Sequence, residues 1–529
     1  MTPAPIDPRD HDLLFGRDAL KPGDAVVHFE HGLARYDGIE RLEVDGAVHE
    51  LTALTYRDDG RLKVPAREGR DFWAYGAPAA EVTLDRLKAG DWIRHRDAMI
   101  AELREAVDAL MAEDRARRSH EAHPVPRDPD GLQAVVDGFR FEPTEDQVRA
   151  IEAVLDDMAQ DVPMDRLLIG DVGFGKTEVA LRALAATALS GRQALLAAPT
   201  TVLARQHFDT LSRRLGAAGI AVVELSRLTD DRDAALAAIA DGTAQVIVGT
   251  TAVLSDDVLF DGLGLVVIDE EQRLGRDDKQ ALRALCPGCH VLSMTATPIP
   301  RSLAAAEIGL VAVSVLATPP RARKATETTV RTTCLDALRE AVAVERDRGG
   351  QVFVVCPRIE GLADVEAALR DGLDAEALTV VHGQLPEDEL EERMLRFARG
   401  EVEVLVSTTI VESGIDVPRA NAMIVLDADR FGLAQLHQLR GRIGRGDVAA
   451  AMLLMSDADE DAVARLDAFA ACDEIGAGFR IARMDRDHRG WGEIDGEAQS
   501  GHQSRLGIGL YRHLIRQHAL GPVDDAVAA

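Results

Sequence analysis

Cysteine, lysine and long apolar runs are scarce in this sequence. Five cysteines among 529 residues argue against a disulfide framework and favour a reducing compartment. No apolar run approaches the roughly 18 residues that a transmembrane helix needs. The first residues, MTPAPIDPRDHD, lack the basic and apolar regions of a secretory signal. These absences predict a soluble, cytoplasmic protein.

Lysine is rare even among the basic residues. Only six of the 60 basic residues are lysine, so Lys176 stands out as a residue selected for its chemistry. The net charge of -30 weighs against a nucleic-acid partner without excluding one, because phosphate contacts need positive charge only locally. The chain length predicts roughly three or four domains.

The order of short apolar runs divides the chain into five regions. Residues 15–80 alternate β-type runs with Gly and Asp turns, which predicts a small β-barrel. Residues 81–130 have helical periodicity and end in a Pro-rich linker. Strands alternate with amphipathic segments in 131–317 and again in 318–455, which predicts two α/β domains with parallel sheets. Residues 456–529 form a mainly helical tail.

A phosphate-binding loop is predicted in GDVGFGKTEV, residues 170 to 179, between a strand and a helix. Gly170, Gly175, Lys176 and Thr177 satisfy G-x-x-x-x-G-K-[ST], and Gly173 adds a third glycine. The glycines let backbone N–H groups face phosphate oxygens beside the positive end of a helix. We expect Lys176 to reach the terminal phosphates of ATP and Thr177 to ligate Mg²⁺.

Two carboxylates follow a buried strand in LVVIDEEQ. Ligands bind at the carboxyl ends of strands in α/β sheets, so this position suits catalysis. We expect Asp269 to bind Mg²⁺ and Glu270 to act as the catalytic base that orients water. The order of the two motifs, loop first and carboxylates second, is typical of a nucleotide hydrolase.

The second α/β domain has no phosphate loop but carries the basic segment QLHQLRGRIGRG. Arg442 and Arg445 are three residues apart and project the same way from a helix or turn. We predict that both reach across a cleft to the nucleotide held by the first domain, where such arginines contribute roughly 10³ to 10⁵ in rate. A solvated basic face is the alternative interpretation.

Together these segments resemble the superfamily 2 helicases and, within them, the bacterial transcription-repair coupling factors, with RecG helicases as close relatives. The resemblance follows, in order, FEPTEDQ, the phosphate loop, APTT, VGTT, DEEQ, MTATPIPR, STTIVESGIDVPRAN and QLHQLRGRIGRG. It implies two tandem RecA-like domains, with an N-terminal Tudor-like barrel and a C-terminal helical translocation module.

Further site residues are implied by this resemblance. Gln147 would contact adenine, Gly414 and Asp416 would join the nucleotide site, and Thr295 to Thr297 would couple nucleotide to DNA. Gln272 stands where the family usually has His and would take over that link, since an amide both donates and accepts hydrogen bonds. The expected track for the DNA backbone consists of Thr200, Thr201, Thr250, Thr251, Thr408 and Thr409.

The tail carries a segment similar to the translocation motif of the family. The sequence RGWGEIDGEAQSGH places Arg489 and Gln499 at the polar positions of that motif, which are expected to act on duplex DNA. The family pattern is richer in apolar residues, and here charges and Trp491 are added.

The N-terminal region looks like the RNA-polymerase-interacting domain of the same family. In KPGDAVVHFEHGLARYDGIERL, an edge strand near Leu33 to Ile39 is predicted to pair with a strand of the polymerase. RecG begins instead with an oligonucleotide-binding wedge domain, and this difference favours a coupling factor.

We therefore predict an ATP-dependent double-stranded-DNA translocase that binds RNA polymerase and acts on stalled transcription complexes. A RecG-like remodeller of branched DNA and a non-catalytic polymerase-binding transcription factor are the alternatives. The family's modules for binding and masking UvrA have no counterpart in the sequence, so UvrA binding is not expected. For the same reason, turnover is expected on bare duplex DNA.

Overall fold

The computed structural model describes residues 7–15, 20–44, 47–65, 72–79, 82–87, 91–296, 300–320, 325–370, 373–374, 376–409, 417, 419–444, 448–473, 478, 481 and 503–520. Within these ranges no helix has both the length and the apolar character needed to cross a bilayer. The chain divides into two units. The antiparallel-sheet unit is drawn from Met1–Ser119, Pro298–Val313 and Ala482–Ala529, and the parallel-sheet unit from His120–Thr297 and Ser314–Ile481.

The antiparallel-sheet unit is built on five strands in the order β4-β3-β2-β1-β5. Successive side chains of a strand point to opposite faces. In β1, Val26 packs with Leu54 and Tyr56 on one face, while Val27 packs against the helices on the other. The strands are β1 (Asp24–His28), β2 (Gly32–Val44), β3 (Ala47–Thr55), β4 (Arg61–Pro65) and β5 (Phe72–Pro78).

The prediction of an edge strand at Leu33 to Ile39 is wrong for the first half of that stretch. Arg35 pairs with Ala25 of β1 and with Thr55 of β3, so β2 begins in the middle of the sheet. Among the described residues, the stretch Gly38–Val44 pairs with β3 alone. Because β2 has 13 residues and β1 only five, the longer strand extends past its neighbour and presents an edge there.

Helices cover the other face of this sheet. Trp92, Met99 and Leu103 form a stripe at helical spacing that packs with Val27 and with the last helix in one buried core. An ion pair also joins two of these helices: Arg512 donates to both oxygens of the buried Glu307 at 2.8 and 3.0 Å. With helices numbered along the chain, those of this unit are α1 (Pro8–Phe15), α2 (Asp91–Arg118), α9 (Pro300–Glu307) and α15 (Gln503–Leu520).

The first lobe of the parallel-sheet unit is a seven-stranded sheet in the order β12-β6-β11-β10-β7-β9-β8. Its central ladders are parallel, as predicted from the apolar runs. The strands are β6 (Asp165–Gly170), β7 (Gln193–Ala197), β8 (Val222–Leu225), β9 (Val246–Gly249), β10 (Leu263–Ile268), β11 (His290–Thr295) and β12 (Ala312–Leu316).

Both faces of this sheet are covered by helices, so the strands β7, β9, β10 and β11 are buried along their whole length. Thr144 and Gln147 form a reciprocal capping box that fixes the start of α4. The helices are α3 (Pro129–Asp137), α4 (Glu145–Met158), α5 (Lys176–Leu189), α6 (Thr201–Gly216), α7 (Arg232–Ala240) and α8 (Arg276–Ala284), with 3₁₀ turns at Thr251–Leu254 and Glu271–Arg273.

The second lobe is a six-stranded parallel sheet in the order β13-β18-β17-β14-β16-β15. Its strands are β13 (Glu327–Arg331), β14 (Gln351–Val355), β15 (Leu378–Val381), β16 (Val404–Ser407), β17 (Ala420–Val425) and β18 (Ala451–Met455). Its helices are α10 (Leu335–Asp347), α11 (Leu362–Arg370), α12 (Glu387–Ala398), α13 (Leu433–Arg440) and α14 (Glu460–Ala470).

The two lobes share a local structural feature in addition to their parallel sheets. A buried glutamine opens a central strand in each: Gln193 donates to the carbonyls of Ile239 and Ala244, and Gln351 donates to those of Phe397 and Val402. The predicted fold class is thus confirmed in the described residues, with two parallel-sheet domains, an N-terminal antiparallel sheet and helices from the C-terminal region.

Candidate nucleotide and nucleic-acid site

The predicted phosphate loop joins β6 to α5. Gly173 and Gly175 have φ angles of 80° and 84°, a left-handed conformation that only glycine adopts without strain. The Lys176 ammonium donates to the carbonyl oxygens of Gly170 at 2.7 Å and Asp171 at 3.3 Å. Thr177 is the second residue of α5, beside the helix N-terminus. Loop, lysine and threonine therefore have the arrangement that phosphate binding requires.

Gln147 is tied to the same loop. Its side-chain amide donates to the Phe174 carbonyl at 2.8 Å, and its oxygen accepts from the backbone N–H of Thr144 at 2.9 Å. A Cβ on Gly175 would lie 2.2 Å from the Gln147 amide nitrogen, so only glycine allows this approach. The structure brings Gln147 to the phosphate loop, while its contact with adenine stays a prediction.

Asp269 follows β10 and is paired with a histidine that the sequence motifs did not reveal. Its Oδ2 lies 2.7 Å from His207 Nε2, and its Oδ1 accepts from the Glu270 N–H at 3.0 Å. Burial raises the pKa of Asp269, but the hydrogen bond and charge of His207 and the charge of Lys176 outweigh burial, so the pKa is lowered. The carboxylate is thus ionised, as a ligand for Mg²⁺ must be.

Glu270 has a backbone conformation that is rare for its residue type. Its φ of 47° lies in the left-handed region, and such local strain is typical of functional positions. The Gln272 amide donates to the Glu270 carboxylate, and the Gln272 oxygen accepts from the Thr295 hydroxyl at 2.7 Å. Gln272 therefore bridges the candidate base and the end of β11, while its link to DNA stays a prediction.

This bridge leads to a prediction about coupling. Gln272→Ala removes both hydrogen bonds, and Thr295→Val removes one while keeping the side-chain shape. We expect each variant to lower the stimulation of ATP hydrolysis by duplex DNA, by about tenfold for Gln272→Ala, which loses a hydrogen bond to a charged group, and by less for Thr295→Val. Steady-state turnover with and without duplex measures this ratio, with the exposed Gln133→Ala as control. Unchanged stimulation in both variants would contradict the assigned link.

Arg442 follows α13 in the second lobe and is 3% exposed. The pKa of Lys176 is lowered first by burial and also by the positive charge of Arg442, while the charges of Glu270, Asp269 and Asp171 oppose the shift. The second lobe thus brings a buried arginine within electrostatic reach of the phosphate loop. Arg445, Gly414 and Asp416 lie outside the described residues.

The predicted DNA track consists of residues that follow parallel strands. The Thr200 hydroxyl accepts from the Leu203 N–H at 3.3 Å, and the Thr250 hydroxyl accepts from the Ala252 N–H at 3.4 Å. A hydroxyl that accepts such a bond still has its own proton to donate to a phosphate. Thr201 and Thr408 are buried, whereas Thr251 is exposed and Thr409 is half-buried.

Thr297, Arg489 and Gln499 lie outside the described residues, and their roles stay predictions. Trp491, the addition to the translocation motif, lies outside them as well. His207 is the functional neighbour that sequence reasoning missed. It lies on α6, 62 positions from Asp269, and nothing in its local pattern signals that contact.

Family models match the regions that contain these motifs. Residues 144–306 match the DEAD/DEAH box helicase model, 333–447 the helicase conserved C-terminal domain, and 20–70 the CarD-like/TRCF RID domain. Over 503 residues, 94% of this chain, the sequence is 39% identical to the transcription-repair-coupling factor of Escherichia coli (strain K12). The chain is a homologue of the bacterial transcription-repair-coupling factors. Its two parallel-sheet lobes contain most of the residues that match the two helicase domain models.

The similarity covers part of each longer relative. The chain spans 44% of the Escherichia coli factor. It is also 37% identical over 505 residues to the factor of Bacillus subtilis (strain 168), covering 94% of this chain and 43% of that protein.

Solved structures show related folds. RecG bound to a three-way DNA junction matches with a TM-score of 0.69 and 27% identity, over 95% of this chain and 79% of RecG. Dbp5 of S. cerevisiae bound to RNA and ADP BeF3 matches with a TM-score of 0.52 and 16% identity, over 69% of this chain and 98% of Dbp5, which shows the fold alone.

Proposed function

We propose that this chain is an ATP-dependent translocase on double-stranded DNA that binds RNA polymerase and acts on stalled transcription complexes. The observation that supports the proposal is an arrangement of charged groups from both lobes, with Lys176 and Asp269 from the first and Arg442 from the second. The partners, DNA and RNA polymerase, are inferred from the name of the relatives and from the 94% of this chain that matches them.

ATP and Mg²⁺ fit the residues present. Mg²⁺ in nucleotide sites takes one or two protein ligands and completes its shell with phosphate oxygens and water. Asp269, with its lowered pKa, and Thr177, at the start of α5, would hold the metal. Bound Mg²⁺ would neutralise charge on the transferring phosphate, while Glu270 would orient the attacking water and Lys176 the terminal phosphates.

A RecG-like remodeller of branched DNA is the second candidate, and one observation favours it. The fold matches RecG over 95% of this chain, more extensively than it matches Dbp5. The two candidates differ in the DNA that stimulates hydrolysis. A translocase responds to linear duplex, whereas a remodeller needs a fork or junction.

An ATPase assay with matched DNA substrates separates these functions. Linear duplex, a three-way junction and single strands of equal nucleotide content are compared at several salt concentrations, because sequence-independent phosphate contacts weaken with salt. We expect turnover to rise with linear duplex and to gain little from a junction. Stimulation by the junction alone would favour the remodeller. No hydrolysis with any DNA would favour a non-catalytic transcription factor.

The N-terminal sheet offers a specific surface for the polymerase. Ile39 and Leu42 are 57% and 44% exposed on the part of β2 that pairs with β3 alone among the described residues. Val48 of β3, which pairs with Glu43, is 65% exposed. Unpaired backbone beside exposed apolar side chains suits addition of a partner strand. We propose that Gly38–Val44, rather than all of Leu33 to Ile39, docks a strand of the polymerase.

Charged side chains on this edge are predicted to prevent polymerase binding. Ile39→Asp with Leu42→Asp in the full chain should lower polymerase capture at least about tenfold, because burying a charge at an interface is costly. Leu259→Asp, at an apolar residue of the parallel-sheet unit that is 66% exposed, serves as control. Equal capture by the edge variant and the control would overturn the assignment of this edge.

The translocation segment gives a further prediction. Arg489→Ala and Gln499→Ala should retain much of the duplex-stimulated ATPase while losing displacement of a third strand from a triplex, because the motif lies in sequence outside the nucleotide-binding motifs. The expected loss is about tenfold or more in displacement rate, as for other positioning contacts. Unchanged displacement in both variants would show that this segment has another role.

A further inference from the structure

A pair of side chains joins the phosphate loop of the first lobe to α13 of the second. His437 Nε2 lies 2.8 Å from both carboxylate oxygens of Asp171. The side chains of His437 and Asp171 are 12% and 8% exposed, so little water competes for this contact. Asp171 is the residue directly after Gly170, and neither member of the pair has a role in the phosphate-binding motif itself.

The tautomer of His437 follows from its second partner. Arg440 donates a guanidinium N–H to His437 Nδ1 at 3.2 Å. A guanidinium can only donate, so Nδ1 accepts and the ring proton lies on Nε2, which donates to Asp171. The Arg440 guanidinium also stacks over the Phe469 ring at 4.5 Å, which fixes it in place. His437 is therefore oriented by the second lobe and bonded to the first.

Asp171 transmits this contact to the loop. Its Oδ1 accepts from the Val172 N–H at 2.8 Å, and its backbone carbonyl accepts from the Lys176 ammonium at 3.3 Å. A movement of the Asp171 carboxylate thus acts on both the loop backbone and the lysine. Gly441, just after α13, packs on the same loop, since a Cβ there would lie 2.8 Å from the Val172 Cβ.

We infer that His437 and Asp171 are positioning residues, which couple docking of the second lobe to the hydrolysis-competent arrangement of the phosphate loop. The inference rests on the proposed ATPase function. When α13 is docked, the hydrogen bond fixes Asp171 and, through its carbonyl, the approach of Lys176. When α13 moves away, Asp171 loses this partner and the loop regains freedom. ATP can then bind to an open pair of lobes but is hydrolysed rapidly only when the pair has formed.

Gly478 provides an independent way to disturb the pair. A Cβ at this position would lie 2.8 Å from Asp171 Oδ2 and 2.8 Å from His437 Nε2. Any larger residue must therefore displace one of the two bonded groups. Gly478→Ala inserts a methyl group into the hydrogen bond without changing either partner.

The test compares kcat and KM for ATP in the full chain with saturating linear duplex DNA. We expect His437→Ala and Gly478→Ala to lower kcat about tenfold or more while KM changes less than about threefold, since the inferred role of the contact is in hydrolysis and not in ATP binding. His437→Gln should recover part of the loss, because its amide can replace the Nε2 donor. The exposed His120→Ala is the control.

A double-mutant cycle separates coupling from a general loss of stability. Asp171→Asn keeps one oxygen that can accept a hydrogen bond from the Val172 N–H. It removes the negative charge that strengthens the hydrogen bond from His437. If the pair acts as a unit, Asp171→Asn with His437→Ala loses no more kcat than the larger single loss. Melting temperatures of all variants show whether each one folds.

The outcomes distinguish this inference from the proposed function. Unchanged kcat in His437→Ala and Gly478→Ala, with normal wild-type turnover, would overturn the inference and leave the ATPase intact. Additive losses, or no recovery in His437→Gln, would also overturn it. A wild-type protein without ATP hydrolysis would instead overturn the proposed function and with it the inference.

Discussion

Lys176→Ala is expected to abolish nucleotide binding, whereas Glu270→Gln is expected to retain binding and stop hydrolysis. Lys176 lies within the phosphate loop and supplies the charge that terminal phosphates need. Removing it should weaken ATP binding by at least about two orders of magnitude, enough to abolish detectable binding, since charge-assisted bonds to phosphate are the strong ones. Glu270→Gln keeps shape and hydrogen bonding but removes the base, which should lower kcat about 10²- to 10⁴-fold.

Fluorescent-nucleotide titration and steady-state turnover of both variants measure these effects. Lys63→Ala, which changes an exposed lysine of the antiparallel-sheet unit, is the control for lost charge. Wild-type turnover in Glu270→Gln would show that another group activates water. In that event, the left-handed backbone at Glu270 and its bond to Gln272 would need a different explanation.

Removal of the Arg442 guanidinium should lower turnover more than it lowers affinity. Arg442 is buried, and its positive charge contributes to lowering the pKa of Lys176, so we expect it to lie near the phosphate that is transferred. We expect Arg442→Ala to reduce duplex-stimulated kcat by about 10³-fold or more, as for other arginines that complete such sites. Arg442→Lys should recover little, because an ammonium lacks the planar fork that engages two phosphate oxygens.

Turnover and nucleotide affinity should be measured for Arg442→Ala, Arg442→Lys and Arg430→Ala. Arg430 also belongs to the second lobe but is 47% exposed and pairs loosely with Asp427 at 3.6 Å. Its removal should change kcat by less than about twofold, since exposed ion pairs contribute little. Equal effects of Arg442→Ala and Arg430→Ala would contradict this role. They would favour the alternative interpretation, in which Arg442 belongs to a solvated basic face.

The fold could be predicted from sequence because its strands carry a strong local signal. Runs such as LGLVVI in β10 are buried on both faces, and a continuous apolar run followed by a turn identifies a central parallel strand. The phosphate loop could be predicted for a related reason. The left-handed φ angles of Gly173 and Gly175 restrict those positions to glycine, so the geometry leaves a direct trace in the sequence.

Contacts between distant segments left no such trace. The contact of His207 with Asp269 joins α6 to the end of β10, and that of His437 with Asp171 joins the two lobes across 266 positions. A histidine on a helix has no local pattern that reveals its partner. The edge of β2 was misplaced for a similar reason, since the unequal lengths of β1 and β2 determine where pairing stops.

Displacement of a third strand from a DNA triplex tests the central proposal most directly, because it reports movement along duplex DNA and not hydrolysis alone. The wild-type chain should release the third strand at a rate that depends on ATP, and Glu270→Gln should bind the same substrate without releasing it. Hydrolysis stimulated by duplex DNA, together with no ATP-dependent release of the third strand, would contradict the account.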